Sequence, residues 1–148
     1  MQQLRIPTNA WVLVCDGAKA LTFRNDGDTE TLSLTLIESR AEAAPPTREL
    51  GTGRPGRVVE SMGTKRSAVE QTDLHAEAEA VFLAQTIERL GQIVREQDVR
   101  HLILVAPPKA LGIIRKHLTP ALRAVIVHEL DKDYAGLTTP DIERHLAG

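Results

Sequence analysis

The chain has 148 residues, of which 42% are apolar and 26% charged, and this balance is that of one soluble globular domain. A formal net charge of −2 excludes a uniformly basic surface for nucleic acid, although it leaves room for a local basic patch. The single cysteine excludes an internal disulfide, and the polar residues 1–9 together with the lack of a long apolar run predict a cytoplasmic protein that does not enter a membrane.

Three short segments at the start of the chain predict three consecutive β-strands. Residues 10–16 form a nearly continuous apolar run, which is typical of a strand buried on both faces. Residues 21–24 and 31–37 alternate between apolar and polar side chains, as half-buried strands do. A turn rich in asparagine, aspartate and glycine separates these two segments and favours an antiparallel meander. The third strand is expected to carry three leucines on one face: Leu32, Leu34 and Leu36.

A stretch rich in proline and glycine follows, over about residues 40–71. Loops of this length are uncommon in compact domains and are usually functional or disordered. After it, Thr72 or Asp73 is predicted to cap a long helix that ends near Glu96, because apolar residues recur there at helical spacing.

The second half of the chain alternates strands and helices. Residues 101–106 and 124–130 are predicted strands, residues 109–118 a helix, and Thr139 the cap of a last helix. Right-handed crossovers make the last two strands parallel. The element order predicts a single α/β domain over residues 1–148, with a mixed five-stranded sheet and the topology of the ribonuclease H-like fold. The centre of the sheet is expected to hold five apolar side chains: Trp11, Val12, Val14, Ile103 and Val105.

Carboxylates near the ends of the strands raise the question of a metal-dependent nuclease. Enzymes with this topology hold two metal ions between acids, so Asp16 at the end of the first strand is a candidate ligand. Glu77 or Glu79 on the long helix is a second candidate, but the fourth strand ends at Ala106, where a further acid is needed. The acids after the fifth strand are displaced from that position: Asp131 and Asp133. The alternative is that Asp16 pairs with the backbone of the following turn, and we predict no metal ion and no cofactor.

A local excess of positive charge lies in residues 47–67. Five cations face two acids there, so 5 − 2 gives +3, and the rest of the chain carries −5. Cations neutralise phosphates and glycine lets the backbone approach them, which indicates a nucleic-acid contact. The predicted contact residues are Arg48, Gly53, Arg54, Gly56, Arg57, Lys65 and Arg66. The alternative is a solvated linker.

Several of these segments carry a family likeness. The sequence resembles the host attachment protein family of proteobacteria over about residues 11–146. The likeness is carried by residues 11–18, 49–57, Phe82, residues 102–112, Arg115 and residues 130–133. Members of that family are similar to the central domain of archaeal and eukaryotic peptide-release factors, a ribonuclease H-like fold. The kinship implies work at the ribosome or on RNA.

The same resemblance limits the chemistry that we expect. Release factors cleave peptidyl-tRNA with a Gly-Gly-Gln loop, and this sequence has no Gly-Gly-Gln, so release chemistry is not carried over. The family name implies a part in attachment to host cells, which would be indirect. The leading hypothesis is a non-enzymatic RNA- or ribosome-binding protein that uses its basic loop. The alternatives are a metal-dependent nuclease or nucleic-acid ester hydrolase with Asp16 in its site, and a protein–protein interaction module.

Overall fold

The computed structural model describes residues 5–42 and 57–147, with side chains described for residues 5–42 and 74–147. This part of the chain forms five strands and four helices. The strands are β1 (Trp11–Cys15), β2 (Lys19–Asn25), β3 (Leu34–Ala41), β4 (Leu102–Val105) and β5 (Ile126–Leu130). The helices are α1 (Arg57–Gln97), α2 (Pro108–Arg115), α3 (Pro120–Val125) and α4 (Thr139–Ala147).

The strands form one mixed sheet in the order β3-β2-β1-β4-β5. β1 and β2, like β2 and β3, are antiparallel, whereas β4 runs parallel to both of its neighbours, β1 and β5. The predicted meander and the predicted parallel strands are therefore confirmed. The five side chains predicted for the centre of the sheet are all buried: Trp11, Val12, Val14, Ile103 and Val105.

The side chains of β1 alternate between two apolar clusters on opposite faces of the sheet. Trp11, Leu13 and Cys15 face the cluster that α1, α2 and α3 cover. Val12 and Val14 face the cluster that α4 covers. Because helices cover both faces, β1 and β4 consist of continuous apolar runs and lack the alternation of half-buried strands.

The edge strand β3 contains a bulge that the sequence pattern did not predict. Leu36 lies opposite Phe23 of β2, whereas the next paired residue of β3 is Glu38. The extra residue between them, Ile37, shifts the alternation and turns the second half of the strand toward the α1 side of the sheet. The strand also begins at Leu34 rather than at residue 31, and Leu36 is 47% exposed because nothing in the described part of the chain covers it.

The long helix begins earlier than predicted. α1 extends over Arg57–Gln97, so residues 57–71 are helical and are not part of a loop, and Thr72 and Asp73 lie inside the helix rather than at its cap. The physical reason is composition: this stretch has no proline, eight of its fifteen residues are good helix formers (arginine, lysine, methionine, glutamate, glutamine or alanine), and Gly63 alone costs only about 1 kcal/mol. Within the described residues, no helix is both long and apolar enough to cross a membrane.

The cap of the last helix lies one residue before the predicted one. The backbone N–H of Asp141 donates to Oγ1 of Thr138 at 3.3 Å, so Thr138 and not Thr139 caps α4. Pro140 occupies the first turn, where its missing N–H is no loss, and Asp141 lies near the positive end of the helix.

Candidate functional site

The predicted phosphate-binding residues are distributed over two parts of the chain. Four of them lie outside the described residues: Arg48, Gly53, Arg54 and Gly56. Three belong to the first turns of α1, where side chains are not described: Arg57, Lys65 and Arg66. Their grouping around a phosphate therefore stays a prediction, but the last three belong to a helix rather than to a loop.

A small cleft of about 300 Å³ lies at the carboxyl-terminal ends of β1 and β4. The turn after β1 forms one wall and the beginning of α2 forms the other. Its lining residues are Asp16, Gly17, Ala18, Glu79, Pro107, Lys109 and Ala110. Two consecutive prolines begin α2, which fixes its direction because Pro107 and Pro108 restrict the backbone.

The side chain of Asp16 is hydrogen-bonded to the turn that follows it. Its Oδ1 accepts hydrogen bonds from the backbone N–H groups of Ala18 and Lys19, both at 2.8 Å. This arrangement is the one expected if Asp16 is structural, since an aspartate commonly closes a turn in this way. The carboxylate therefore stabilises the connection from β1 to β2.

Glu79 of α1 reaches the same cleft. A Cβ on Gly17 would lie 2.7 Å from Cγ of Glu79, so the helix approaches this turn closely because residue 17 is glycine. Oε1 of Glu79 lies 3.6 Å from Nζ of Lys109, a partly exposed ion pair. Asp16 and Glu79 are thus neighbours, as the nuclease alternative requires. Within the described residues, however, no three His, Cys, Asp or Glu side chains lie close enough to hold a metal ion.

Cys15 precedes the cleft and is fully buried. Burial, with a smaller contribution from the charge of Asp16, raises the pKa of the Cys15 thiol to about 12. A thiol with this pKa is protonated at neutral pH, and the thiolate is the reactive species. Cys15 is therefore part of the core rather than a nucleophile.

A larger cavity of about 580 Å³ lies between the end of β3 and α1. Arg40 dominates its wall: one Nη donates to Oγ1 of Thr86 at 2.5 Å, and the other lies 3.3 Å from Oε1 of Gln85. The guanidinium carbon of Arg40 lies 4.9 Å from the ring centroid of Phe82, within the range of a cation–π contact. Leu74 and Val81 add exposed apolar surface, so the cavity is partly apolar.

A forked ion pair ties β3 to α1 beside this cavity. Arg89 donates to both carboxylate oxygens of Glu38, at distances of 2.9 to 3.2 Å. The hydrogen bonds from Arg89 hold the pKa of Glu38 below its usual value. Both side chains are partly exposed, so the contribution to stability is modest.

Sequence reasoning missed Arg40, Arg89 and Lys109. The bulge at Ile37 brings Glu38 and Arg40 to the α1 side, and a strict two-residue alternation does not show it. For Lys109, the available indication was the pair Pro107–Pro108 at the start of α2, because it places the first residues of the helix directly beside the carboxyl end of β4.

Comparison with known protein families decides the kinship of the chain. The model of the bacterial archaeo-eukaryotic release factor family 12 matches residues 9–146, which include all the strands and helices described above except the last residue of α4. The chain belongs to this family. No curated protein matches this release-factor family member. The relation to release factors expected from the sequence is confirmed at the level of the family, whereas the name host attachment protein stays a prediction.

Proposed function

We propose that this release-factor family member is a cytoplasmic RNA-binding protein that works at the ribosome and catalyses no reaction itself. The observation that carries the proposal is the family match over residues 9–146. Peptide-release factors act on the ribosome, and the missing Gly-Gly-Gln sequence separates this chain from their hydrolytic chemistry. A part in the attachment of bacteria to host cells, which the resemblance implies, would follow indirectly from such a role.

We also propose that the fold is ribonuclease H-like. The strand order β3-β2-β1-β4-β5, with an antiparallel meander followed by two parallel strands, supports this assignment. Helices cover both faces, with α1, α2 and α3 on one side and α4 on the other. The two cavities at the carboxyl-terminal half of the sheet then flank the region where α1 approaches the end of β1.

The basic segment is the proposed contact with RNA. Residues 47–67 carry +3 in a chain whose total charge is −2, so the segment has a local excess of positive charge. Arg57, Lys65 and Arg66 belong to the first turns of α1 and enter the proposal through their charge.

We expect an Arg54→Ala, Arg57→Ala double variant to bind ribosomal RNA on the order of tenfold more weakly than the wild type at moderate salt, since two phosphate contacts are lost. A matched control is the double variant Lys19→Ala, Lys132→Ala, which removes the same charge from two exposed positions elsewhere. Affinity is measured for the three proteins at two salt concentrations, with circular dichroism to establish that each is folded.

Equal RNA binding by the wild type and the Arg54, Arg57 variant contradicts the proposed contact. An equal loss in the control variant also contradicts it, because the effect is then one of total charge. A ribosome affinity that does not change with salt concentration favours the protein–protein alternative, since phosphate contacts release counterions and weaken as salt rises.

A second candidate function is a metal-dependent nuclease or nucleic-acid ester hydrolase. The observation that favours it is that Asp16 and Glu79 line the same cleft. Three observations argue against a metal site. Oδ1 of Asp16 accepts hydrogen bonds from two backbone N–H groups, and Glu79 forms an ion pair with Lys109. The residue after β4, where a further acid is needed, is Ala106.

We predict that Asp16→Asn leaves the protein folded and its RNA binding unchanged, because the amide oxygen of asparagine can accept the same two backbone hydrogen bonds. Asp16→Ala removes both bonds and is expected to cost about 1–2 kcal/mol in the free energy of unfolding. The measurement is thermal unfolding, together with RNA cleavage in the presence of Mg²⁺ or Mn²⁺. Metal-dependent cleavage that Asp16→Asn abolishes would establish the nuclease alternative.

A further inference from the structure

We infer that a rim of exposed basic side chains at the amino-terminal ends of β4 and β5 binds the phosphate backbone of RNA, an inference that rests on the proposed function. This basic rim is separate from the segment of residues 47–67. Its members come from the end of α1, the turn after it, the end of α2 and α3: Arg95, Arg100, Arg115, Lys116 and Arg123. All five are exposed.

The topology brings the rim together, since Arg100 and Arg123 come shortly before β4 and β5, which are parallel neighbours in the sheet. Val99, Leu118 and Val125 belong to or pack against the cluster beneath α1, α2 and α3. Each of these three residues lies within two positions of a member of the rim: Arg100, Lys116 and Arg123, respectively. Three separate segments therefore present cations at the same end of β4 and β5.

Two of the rim cations are joined directly. Nη2 of Arg123 donates to the backbone oxygen of Arg115 at 2.9 Å, and Arg115 in turn donates to Oε1 of Glu129 at 2.8 Å. Arg100 forms an exposed ion pair with Asp98 at 3.1 Å. A guanidinium has five N–H donors, so these contacts orient the arginines and leave donors for a phosphate.

The rim is basic because three helices end there. The carboxyl terminus of a helix favours cations, and Arg95, Arg115 and Arg123 occupy the last turns of α1, α2 and α3. Arg100 and Lys116 lie beyond helix ends and add further charge.

The charge of this surface is opposite in sign to that of the chain. Its five cations face three acids, so 5 − 3 gives +2, whereas the whole chain carries −2. The acids are Glu96, Asp98 and Glu129. Two exposed imidazoles lie among the cations and add hydrogen-bond donors: His101 and His117. The rim is thus a local basic patch on an acidic protein, as RNA contacts require.

The spread of the cations favours a polymer over a single phosphate ion. Packed helices lie about 8–10 Å apart, so cations at the ends of three neighbouring helices are spaced for several phosphates of one backbone. Among polyanions, RNA is favoured over an acidic peptide because the chain belongs to a release-factor family.

The test compares two double variants with equal changes in charge. Arg100→Gln with Lys116→Gln removes two cations of the rim, and Lys19→Gln with Lys132→Gln removes two exposed cations near the opposite ends of the strands. The Arg100–Asp98 pair is exposed, so both proteins are expected to unfold at nearly the wild-type temperature. A Lys116→Gln single variant repeats the test without breaking that pair.

Binding of a ribosomal RNA fragment is measured as salt is raised. The rim variant is expected to bind on the order of tenfold more weakly, with a salt dependence reduced by about 0.7–0.9 per lost contact, and the opposite-end control to bind like the wild type. Equal losses in the two variants, or wild-type binding by the rim variant, overturn the inference while the proposed function stands. Equal binding of polyglutamate and RNA by the wild type overturns it in favour of an acidic protein partner. A wild type that does not bind RNA overturns both the inference and the proposed function.

Discussion

Replacing Phe23 by alanine is expected to lower the free energy of unfolding by about 4 kcal/mol. Phe23 is fully buried in β2, in the cluster that α4 covers, and its loss removes apolar burial and leaves a cavity next to Val12 and Leu34. The measurement is urea unfolding, in which the midpoint falls while the slope stays constant.

Leu36→Ala is the matched control for Phe23→Ala. Leu36 lies directly opposite Phe23 across the β2–β3 pairing, yet it is 47% exposed. Its truncation is expected to cost less than about 1 kcal/mol, because a half-exposed side chain loses little burial and leaves no cavity. Equal effects of the two substitutions would contradict the placement of β3 as an uncovered edge strand.

Asn25→Ala is expected to destabilise the protein by about 3 kcal/mol. Nδ2 of this buried side chain donates to the backbone oxygens of Ile6 and Pro7 at 2.9 and 3.1 Å. Its Oδ1 accepts from the N–H groups of Gly27 and Ser33 at 2.9 and 3.0 Å. Alanine leaves these partly buried backbone groups without their partner, and each such loss costs about 1–3 kcal/mol if water does not replace it.

Two comparison variants separate the donors of Asn25 from its acceptor. Asn25→Asp keeps an oxygen for the N–H groups of Gly27 and Ser33 but places the other oxygen against two carbonyls, so we expect a loss at least as large as with alanine. Thr29→Ala changes an exposed residue of the same turn and is expected to shift the free energy of unfolding by less than about 0.5 kcal/mol. The measurement is thermal unfolding of the three variants. An Asn25→Ala protein that unfolds at the wild-type temperature would contradict the stabilising role of the Asn25 hydrogen bonds.

Those parts of the fold that depend on burial alone were predictable from the sequence. β1 and β4 are continuous apolar runs because both of their faces are covered, and this pattern has few alternatives in a chain of this size. The order of elements, together with the right-handed crossover, then led to the parallel pairing of β4 with β5.

Features that depend on tertiary contact were not predictable. The bulge at Ile37 shifts the register of the edge strand β3 by one residue. This shift places Glu38 on the α1 side of the sheet, where it pairs with Arg89. The start of α1 was misplaced because glycine and proline before Arg57 suggested a loop, whereas helix-forming residues after it prevail. The basic rim could not be predicted from the sequence, because its members are spread over residues 95–123 and lie at one end of β4 and β5 only in the folded chain.

The candidate site divides in the same way. The sequence offers two interpretations of Asp16, a metal ligand or a residue that pairs with the backbone of the following turn, and its two backbone hydrogen bonds are of the second kind. The approach of Glu79 to Gly17 depends on how α1 packs against the sheet, which no local pattern of the sequence contains.

The most direct test of the proposed role at the ribosome is co-sedimentation of the wild-type protein with ribosomes from its own lysate at increasing salt. We predict that the protein pellets with ribosomes at low salt and is released progressively as salt rises, because phosphate contacts release counterions. Protein that stays in the supernatant at every salt concentration, while the ribosomes pellet, would contradict the central proposal of RNA binding at the ribosome.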